Sequence, residues 1–453
     1  MRKKFVFPLL VTLLISSTGF ANEVKEVKSY TLEVPSQYFV KYTGAFQNNF
    51  PKGFEPGHGS AIALKKINTD GSIEFYGLSD RGPNADGPII ANSSNPSGKI
   101  FPSPNFTPEI AVIKVIGSKA IITKTIPLKT IPLKTNSGER INGLPVPEGM
   151  TGATGETPLD DSLTVLPYNS DGMDPEGIAI DNQGNFWISD EYGPFIAQFS
   201  PEGKLLNKLM PGKGLPELLK HRIPNRGMEG LTITPDGKYL WGAIQSVLDI
   251  DGKTSKTAKF TRLIRLDIAT GKAKIFAYPI NEDYKNSSGA KIGDIYALNS
   301  TDLLIIEQGA DRDGNMQNRI YKISTTQATD ITDKRIAGQE LEFSNEMSSI
   351  QMTSKEMLID LRQHGWSIEK AEGITLLPDR KTIVIVNDND FGLDLKIKDE
   401  NLTKDKFTNY QYNPKSKEMT KNGKIAEPKV NLTPNAPEEA HGQIWFIEMK
   451  ESL

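Results

Sequence analysis

The stretch Asp174-Pro-Glu-Gly-Ile-Ala-Ile-Asp-Asn-Gln-Gly-Asn-Phe-Trp-Ile-Ser-Asp-Glu-Tyr-Gly-Pro194 decides how the rest of the chain is read. Ile178 and Ile180 alternate with small or polar residues, Asn182 to Asn185 supply a turn, and Phe186-Trp-Ile188 resumes as an aromatic and β-branched run. That pattern is a β-hairpin. Glu176 stands just before its first strand and Asp190-Glu191 close its second, so folding the hairpin brings three carboxylates to one end of the sheet.

The same unit recurs along the chain. His58 to Leu64, a turn at Asn68 to Gly71 and Ile73 to Asp80 form one copy, and Met228 to Trp241 another. Gly293 to Leu298 with Leu303 to Glu307, and Ala371 to Asp388, complete the set. Three copies share Glu-Gly before alternating apolar residues, at Glu176, Glu229 and Glu372, with intervals of 53 and 143 residues. Further hairpins lie between them, such as Phe195 to Phe199 with Leu205 and Leu263 to Ile268 with Ala273 to Ala277. Each unit therefore has about four strands, and recurrence at that interval marks a repeat architecture, a propeller. The expected fold is all-β, a β-propeller of six four-stranded blades, the sixth closed by Gln443 to Glu448 pairing with an N-terminal strand; seven blades is the alternative. Insertions are expected over Gly82 to Pro108 and Asn136 to Asp171. A short helix is expected from Thr353 to His364, opened by the capping-box pair Thr353 and Glu356 and stopped at Gly365.

Composition narrows the function classes. The formal net charge of −3 gives no field that would favour nucleic acid or anionic membrane. Zero cysteines exclude disulfides, thiolate metal sites and cysteine nucleophiles. Arg2-Lys-Lys4, the apolar run Phe5 to Ile15 and the small residues up to Ala21 read as a secretory signal peptide over residues 1–21, followed by a single domain over 22–453. The apolar run is about half the roughly 20 residues that span a bilayer, so no membrane anchor is expected after cleavage. The expected location is periplasmic or secreted.

In a propeller the innermost strands line a central channel, so acids at equivalent places converge. Glu176, Glu229, Asp294 and Glu372 are expected near the strand starts, with Asp80, Asp190, Glu191, Glu307, Asp388 and Asp390 following the second strands. Two such charges about 5 Å apart, at an effective dielectric near 20, repel by roughly 3 kcal/mol. Protons, basic residues or a metal must offset that. Oxygen donors without cysteine, and without a histidine pair at ligand spacing, select Ca²⁺ or another hard cation over zinc. Arg81, Arg226 and Lys370 lie beside the acids in sequence, a mixed rim suited to an anionic ester held through a cation.

The runs Ser79-Asp-Arg-Gly-Pro-Asn84, Asp174-Pro-Glu-Gly177 with Trp187 to Pro194, and Asn225-Arg-Gly-Met-Glu-Gly-Leu231 with Thr234-Pro-Asp-Gly237 closely resemble the phytase-like family, described as having esterase-like activity of phytase. The resemblance covers roughly Tyr38 to Phe391. It implies an exported bacterial-type β-propeller that hydrolyses phosphoesters or related esters, with calcium as in β-propeller phytases. Matched to its motifs are Asp80, Arg81, Glu176, Asp190, Glu191, Arg226 and Glu229, and the repeat adds Glu372. The fourth unit departs, with Gly293-Asp294 in place of Glu-Gly.

The leading expectation is a metal-dependent hydrolase of small anionic esters. Glu176, Glu229 and Glu372, with Asp80, Glu307 and Asp388, would hold cations; Asp190 or Glu191 would orient or deprotonate water; Arg81 and Arg226 would hold the anionic group. The alternatives are a calcium-dependent lactonase or carboxylesterase, as in gluconolactonase-like propellers, and a ligand-binding scaffold whose cation locks the blades. Asp390-Phe-Gly392 lacks the loops of a kinase, and Asp311 to Asn315 lacks the Gly and Glu of a calcium loop at its sixth and twelfth positions. No Gly-x-Ser-x-Gly elbow occurs.

Overall fold

A computed structural model of the chain describes residues 23–130, 141–399 and 402–453. The expected signal peptide lies outside the described residues. The rest folds into five antiparallel four-stranded units. The first is Ala61–Ile67, Ile73–Leu78, Glu109–Ile116 and Lys119–Pro127, and the second is Pro175–Ile180, Phe186–Asp190, Phe195–Phe199 and Leu205–Pro211. Met228–Ile233, Tyr239–Ile244, Phe260–Asp267 and Ala273–Pro279 make the third; Lys291–Ala297, Asp302–Ala310, Met316–Ser324 and Ser354–Asp360 make the fourth. The fifth takes Gly373–Leu376, Thr382–Val386 and Gln443–Met449 and is completed by Val24–Glu33. Val27 pairs with Ile447 and Tyr30 with Ile444, so two distant segments of the chain share one sheet.

The units form a ring because both faces of their second strands are apolar. Successive side chains of a strand point to opposite faces, and here each face meets a different neighbour. Phe186 and Ile188 pack against the first unit while Trp187 packs against the third. Leu303 and Ile305 face the third unit, Leu304 and Ile306 the fifth. Val384 and Val386 then join Phe75 and Ile113 of the first unit, which closes the circle. Inside it, Ile62, Ile178, Leu231, Ile295 and Ile374, one from each first strand, line a cavity of about 510 Å³ that Thr232, Thr375, Asn182 and Arg380 also border.

Close approach of the first strands explains the repeated Glu-Gly. A Cβ on Gly177 would lie 2.7 Å from Glu229 O, and one on Gly230 or Gly373 would lie 2.8 Å from the next strand's backbone nitrogen, Ile295 N or Ile62 N. No side chain fits at such distances, so the glycine is dictated by packing. The preceding glutamate is left where the first strands begin, at the end of the ring opposite the turns that line that cavity.

Two expectations are corrected. Among the described residues there are five units, not six: Gln443–Met449 does pair with the N-terminal strand, Val27 opposite Ile447, but it also pairs with Thr382–Val386, through Ile385 and Trp445, so the closure belongs to the fifth unit rather than to a sixth. The expected helix is instead the outer strand Ser354–Asp360, with Ile320 opposite Ile359, followed by a single 3-10 turn, Leu361–His364. The fourth unit needs that strand to cover its sheet, and tertiary pairing overrides the local capping signal. Thr353 Oγ1 is buried without a partner, so the capping box does not form. Gly365 does end the turn, at φ 94°.

Insertions leave the first and fifth units at the ends of their second strands, the end that carries the acids. They combine with Glu156–Leu159, from the connection between the first and second units, into a six-stranded sheet that also holds Ala85–Ile90, Ser97–Ile100, Gln411–Asn413, Glu418–Lys421 and Lys424–Ile425, and they form a three-stranded one. This is a cap beside the acidic mouth. Among the described residues no helix is long and apolar enough to cross a membrane.

Candidate functional site

The mouth is built from two rows of positions. Glu176 and Glu229 stand at the starts of first strands, and Glu372 immediately precedes Gly373. Ala61 pairs with Leu78 as Gly373 pairs with Val386, so Ser60 takes the glutamate's place in the first unit. In the fourth unit Asp294 departs as its sequence suggested. Its carboxylate accepts from Ile374 N at 2.9 Å and Leu231 N at 3.3 Å, and so ties neighbouring first strands together. The second row follows the second strands: Asp80, Glu191, Gln245, Gln308 and Asp388.

Strand alternation separates adjacent acids. Asp190 and Glu307 each precede a second-row residue and turn to the other face. Asp190 accepts from Asp174 N and Tyr192 N, with Lys208 Nζ at 3.7 Å. Glu307 is held by Lys355 Nζ at 2.6 Å and Tyr284 Oη at 3.1 Å. Both are fully buried; Asp190 meets the cluster at the backbone N–H of Asp174, whose charge adds to burial in raising its pKa, and Glu307 is taken up by Lys355 and Tyr284.

The cluster itself is Asp174, Glu176 and Glu191, each offering one oxygen within 4.8 Å of the others. All three are buried. Asp174 accepts from Arg81 N at 3.1 Å, and Glu191 from Asn225 Nδ2 at 3.0 Å and Gln245 Nε2 at 2.6 Å. Gln245 Nε2 also donates to Glu229 Oε2 at 2.9 Å. The amide orientation is fixed by charge, since turning it over would set its oxygen against two carboxylates. Gln245 Oε1 is left buried and unpartnered. Glu176 has no hydrogen-bond partner among the described residues.

Burial pushes the Glu191 carboxyl up to about 8, helped by Asp174. Burial also raises Glu372 to about 7, against the pull of Lys370 and with a push from Asp388. Glu176, Glu229 and Asp80 are driven well above the carboxylate range by burial and then by their acidic neighbours. Asp190 reaches about 6 through burial, opposed by Lys208. An acidic cluster in this state is short of positive charge. Carboxylate oxygens and an orphaned amide carbonyl, with no thiolate or imidazole among them, fit a hard divalent cation such as Ca²⁺. Asp174, Glu176 and Glu191 would hold it, with Glu229 and Gln245 alongside.

The basic residues are mostly engaged. Arg81 is buried, with Nη1 on Glu156 Oε2 at 3.1 Å and Asn225 Oδ1 at 3.2 Å and Nε 3.4 Å from Asp174. Arg226 donates to Ser246 Oγ at 3.1 Å and to Ser288 O. Lys370 reaches Asp388 and Asp390, both at 2.7 Å.

Asp174, Asn225 and Gln245 were not singled out from sequence. Asp174 opens the Asp-Pro-Glu-Gly run and was legible there. Gln245 is found only by aligning the ends of the second strands.

Residues 57–391 match the family model "Phytase-like", described as esterase-like activity of phytase. An uncharacterized secreted protein of Arthroderma benhamiae is 31% identical over 42% of this chain and 44% of its own length. The chain thus spans less than half of that relative. Among solved structures, a protein of unknown function from Dyadobacter fermentans is 12% identical with a TM-score of 0.37, covering 94% of this chain and 99% of that one. A putative gluconolactonase is 11% identical with a TM-score of 0.28, covering 88% and 90%. Likeness at that level says nothing about chemistry. The family match spans well over half of the chain and includes the repeated Glu-Gly units and the second-strand acids, and the chain belongs to the phytase-like family.

Proposed function

We propose that the chain is an exported hydrolase whose single domain, residues 22–453, cleaves an ester bond in a small anionic substrate at the acidic mouth, with a divalent cation, Ca²⁺, as cofactor. The observation that carries this reading is the trio Asp174, Glu176 and Glu191, buried with oxygens within 4.8 Å of one another. Family membership supports the ester chemistry, and the secreted relative supports export.

A bound divalent cation supplies neutralising charge and acidifies water. The chain's own residues supply the rest. Two side-chain amides, from Asn225 and Gln245, fix the Glu191 carboxylate as one of the residues that would hold the cation. Gln245 holds Glu191 and Glu229 in a fixed relation across two units. The cap beside the mouth limits water around the substrate.

A second reading is a lactonase or carboxylesterase acting on a neutral ester. It is favoured by the engagement of Arg81, whose guanidinium is occupied by Glu156, Asp174 and Asn225.

The test is hydrolysis of phosphomonoesters, phosphodiesters, carboxylic esters and lactones with Ca²⁺ or chelator, alongside Glu176→Gln/Glu229→Gln. Turnover that needs the cation and vanishes in the folded double variant is expected, and the preferred ester separates the two readings. No turnover, with a melting temperature that still rises on Ca²⁺, would leave the cluster as a structural ion site.

A further inference from the structure

The mouth is not symmetric in charge. Its second row is acidic at the first, second and fifth units, through Asp80, Glu191 and Asp388, and neutral at the third and fourth, through Gln245 and Gln308. Lys291 stands on the neutral side. It begins the first strand of the fourth unit, its backbone is paired with Gln308, and the next residue donates from Ile292 N to Gln245 O at 2.8 Å.

Lys291 differs from every other cation near the mouth. Arg81, Arg226 and Lys370 are bound as described above. Arg222 is spent on Tyr192 O and Ala153 O, the latter at 2.9 Å. Lys291 makes no hydrogen bond and no ion pair within 4 Å among the described residues, and it is only partly buried. Its charge nonetheless reaches Glu191, Glu229 and Glu372. Paired directly across from Gln308 in the antiparallel sheet, the Lys291 side chain leaves the same face as that second-row amide. Gln308 Nε2, beside it, has no acceptor among the described residues, while Gln308 Oε1 is satisfied by Asn318 Nδ2 and Ala371 N.

We propose that Lys291, with the Gln308 amide next to it, is the specificity-determining residue that binds the phosphoryl group of a phosphate-ester substrate, opposite the carboxylates that hold the cation. This rests on the anionic-ester reading above and reassigns the role that sequence gave to Arg81 and Arg226. An unpaired ammonium offers three donors and a full charge to a phosphoryl oxygen.

The test uses the full chain with Ca²⁺ and compares wild type, Lys291→Met and Lys291→Arg. Calorimetry measures inorganic phosphate and Ca²⁺ binding; kinetics compares p-nitrophenyl phosphate with neutral p-nitrophenyl acetate. Lys291→Met is expected to weaken phosphate binding and raise KM for the phosphate ester at least roughly tenfold, the size of a hydrogen bond to a charged group. Lys291→Arg should recover much of this. KM for the neutral acetate ester should change far less than KM for the phosphate ester, and Ca²⁺ should bind equally or more tightly once a like charge is gone. Unchanged phosphate binding in folded Lys291→Met overturns the assignment, as does a loss that merely follows weaker Ca²⁺ binding. If the wild type hydrolyses neither ester but loses phosphate on Lys291→Met, the hydrolase reading falls and the anion site stands. If hydrolysis persists and phosphate binding is indifferent to Lys291, the reverse holds.

Discussion

With no cation in the acidic cluster, the protein should lose stability as pH rises from 5 to 8. Glu191 is only 6% exposed, so its shift converts to stability with little solvent screening. Burial first, and Asp174 next, push its carboxyl up to about 8. In the unfolded chain a glutamate titrates near ~4.3. Below the unfolded value both states carry the proton and Glu191 imposes no penalty. Above it the unfolded chain releases a proton that the folded protein retains, so stability falls until the folded pKa is passed. From pH 5 to 8 that is about three pH units at ~1.36 kcal/mol each, roughly 4 kcal/mol. An unfolding entropy of ~2.1 cal/mol/K per residue, over 453 residues, is roughly 0.95 kcal/mol/K, so Glu191 alone lowers Tm by about 4 °C. Glu372, raised to about 7, acts in the same direction over most of the window. Strongly depressed carboxylates such as Glu74, held at about 2 with Lys65 as the main cause, are already ionised at pH 5 and add no slope. The assay is thermal melting in chelator at pH 5, 6, 7 and 8, repeated with Ca²⁺ and with Glu191→Gln. Ca²⁺ should restore Tm at pH 8, and Glu191→Gln should flatten the chelated profile by its share. A chelated wild-type Tm that is flat or rises over this window would refute the reasoning, as would an unchanged slope in Glu191→Gln.

Two further predictions separate scaffold from site. Asp294→Ala strands the buried amides of Leu231 and Ile374 and should cost roughly 2–6 kcal/mol at 1–3 kcal/mol per orphaned group, lowering Tm by several degrees while calorimetric Ca²⁺ affinity is unchanged. Arg262 and Glu342, at 1% and 0% side-chain exposure, form a two-bond pair at 2.7 and 2.9 Å; Arg262→Met should cost roughly 3–5 kcal/mol by leaving a buried charge alone, and Arg262→Met/Glu342→Leu should recover most of the loss in Tm.

The parts of the fold that were legible are those fixed by short-range physics. Glu-Gly at residues 176, 229 and 372 could be read because the glycine is forced by a backbone approach of 2.7 to 2.8 Å and the glutamate then has one place to go. The turns at Gly71, Gly184 and Gly237 could be read because each has positive φ. The unit count depends on non-local pairing, and nothing local in Gln443–Met449 says that its partner is Thr382–Val386 rather than the start of a new sheet. Ser354–Asp360 carries a helical start signal that only the open edge of Met316–Ser324 overrules. Within the site, the recurrence of acids was visible but their facing was not. Asp190 and Glu191 are neighbours in sequence and belong to opposite faces of one strand, as do Glu307 and Gln308; choosing between them needs the register.

Arg81 shows what that register adds to function. From sequence it is a cation beside an acid, free to meet a substrate. In the fold it joins three parts: Asp174 of the cluster, Glu156 of the cap, and Asn225. Asn225 accepts from Arg81 through Oδ1 and donates through Nδ2 to Glu191 at 3.0 Å. One guanidinium therefore touches Asp174 directly and Glu191 through a single amide, while its other contact lies in the cap. Rings of Phe101 and Tyr192 flank it, with centroids 5.9 and 5.6 Å from the guanidinium carbon, and restrict its movement. Two of the three clustered carboxylates are thus oriented by a residue whose own position depends on the cap strand Glu156–Leu159. Placement of the cap and geometry of the cluster are coupled through Arg81, whose guanidinium is taken up by Glu156, Asp174 and Asn225.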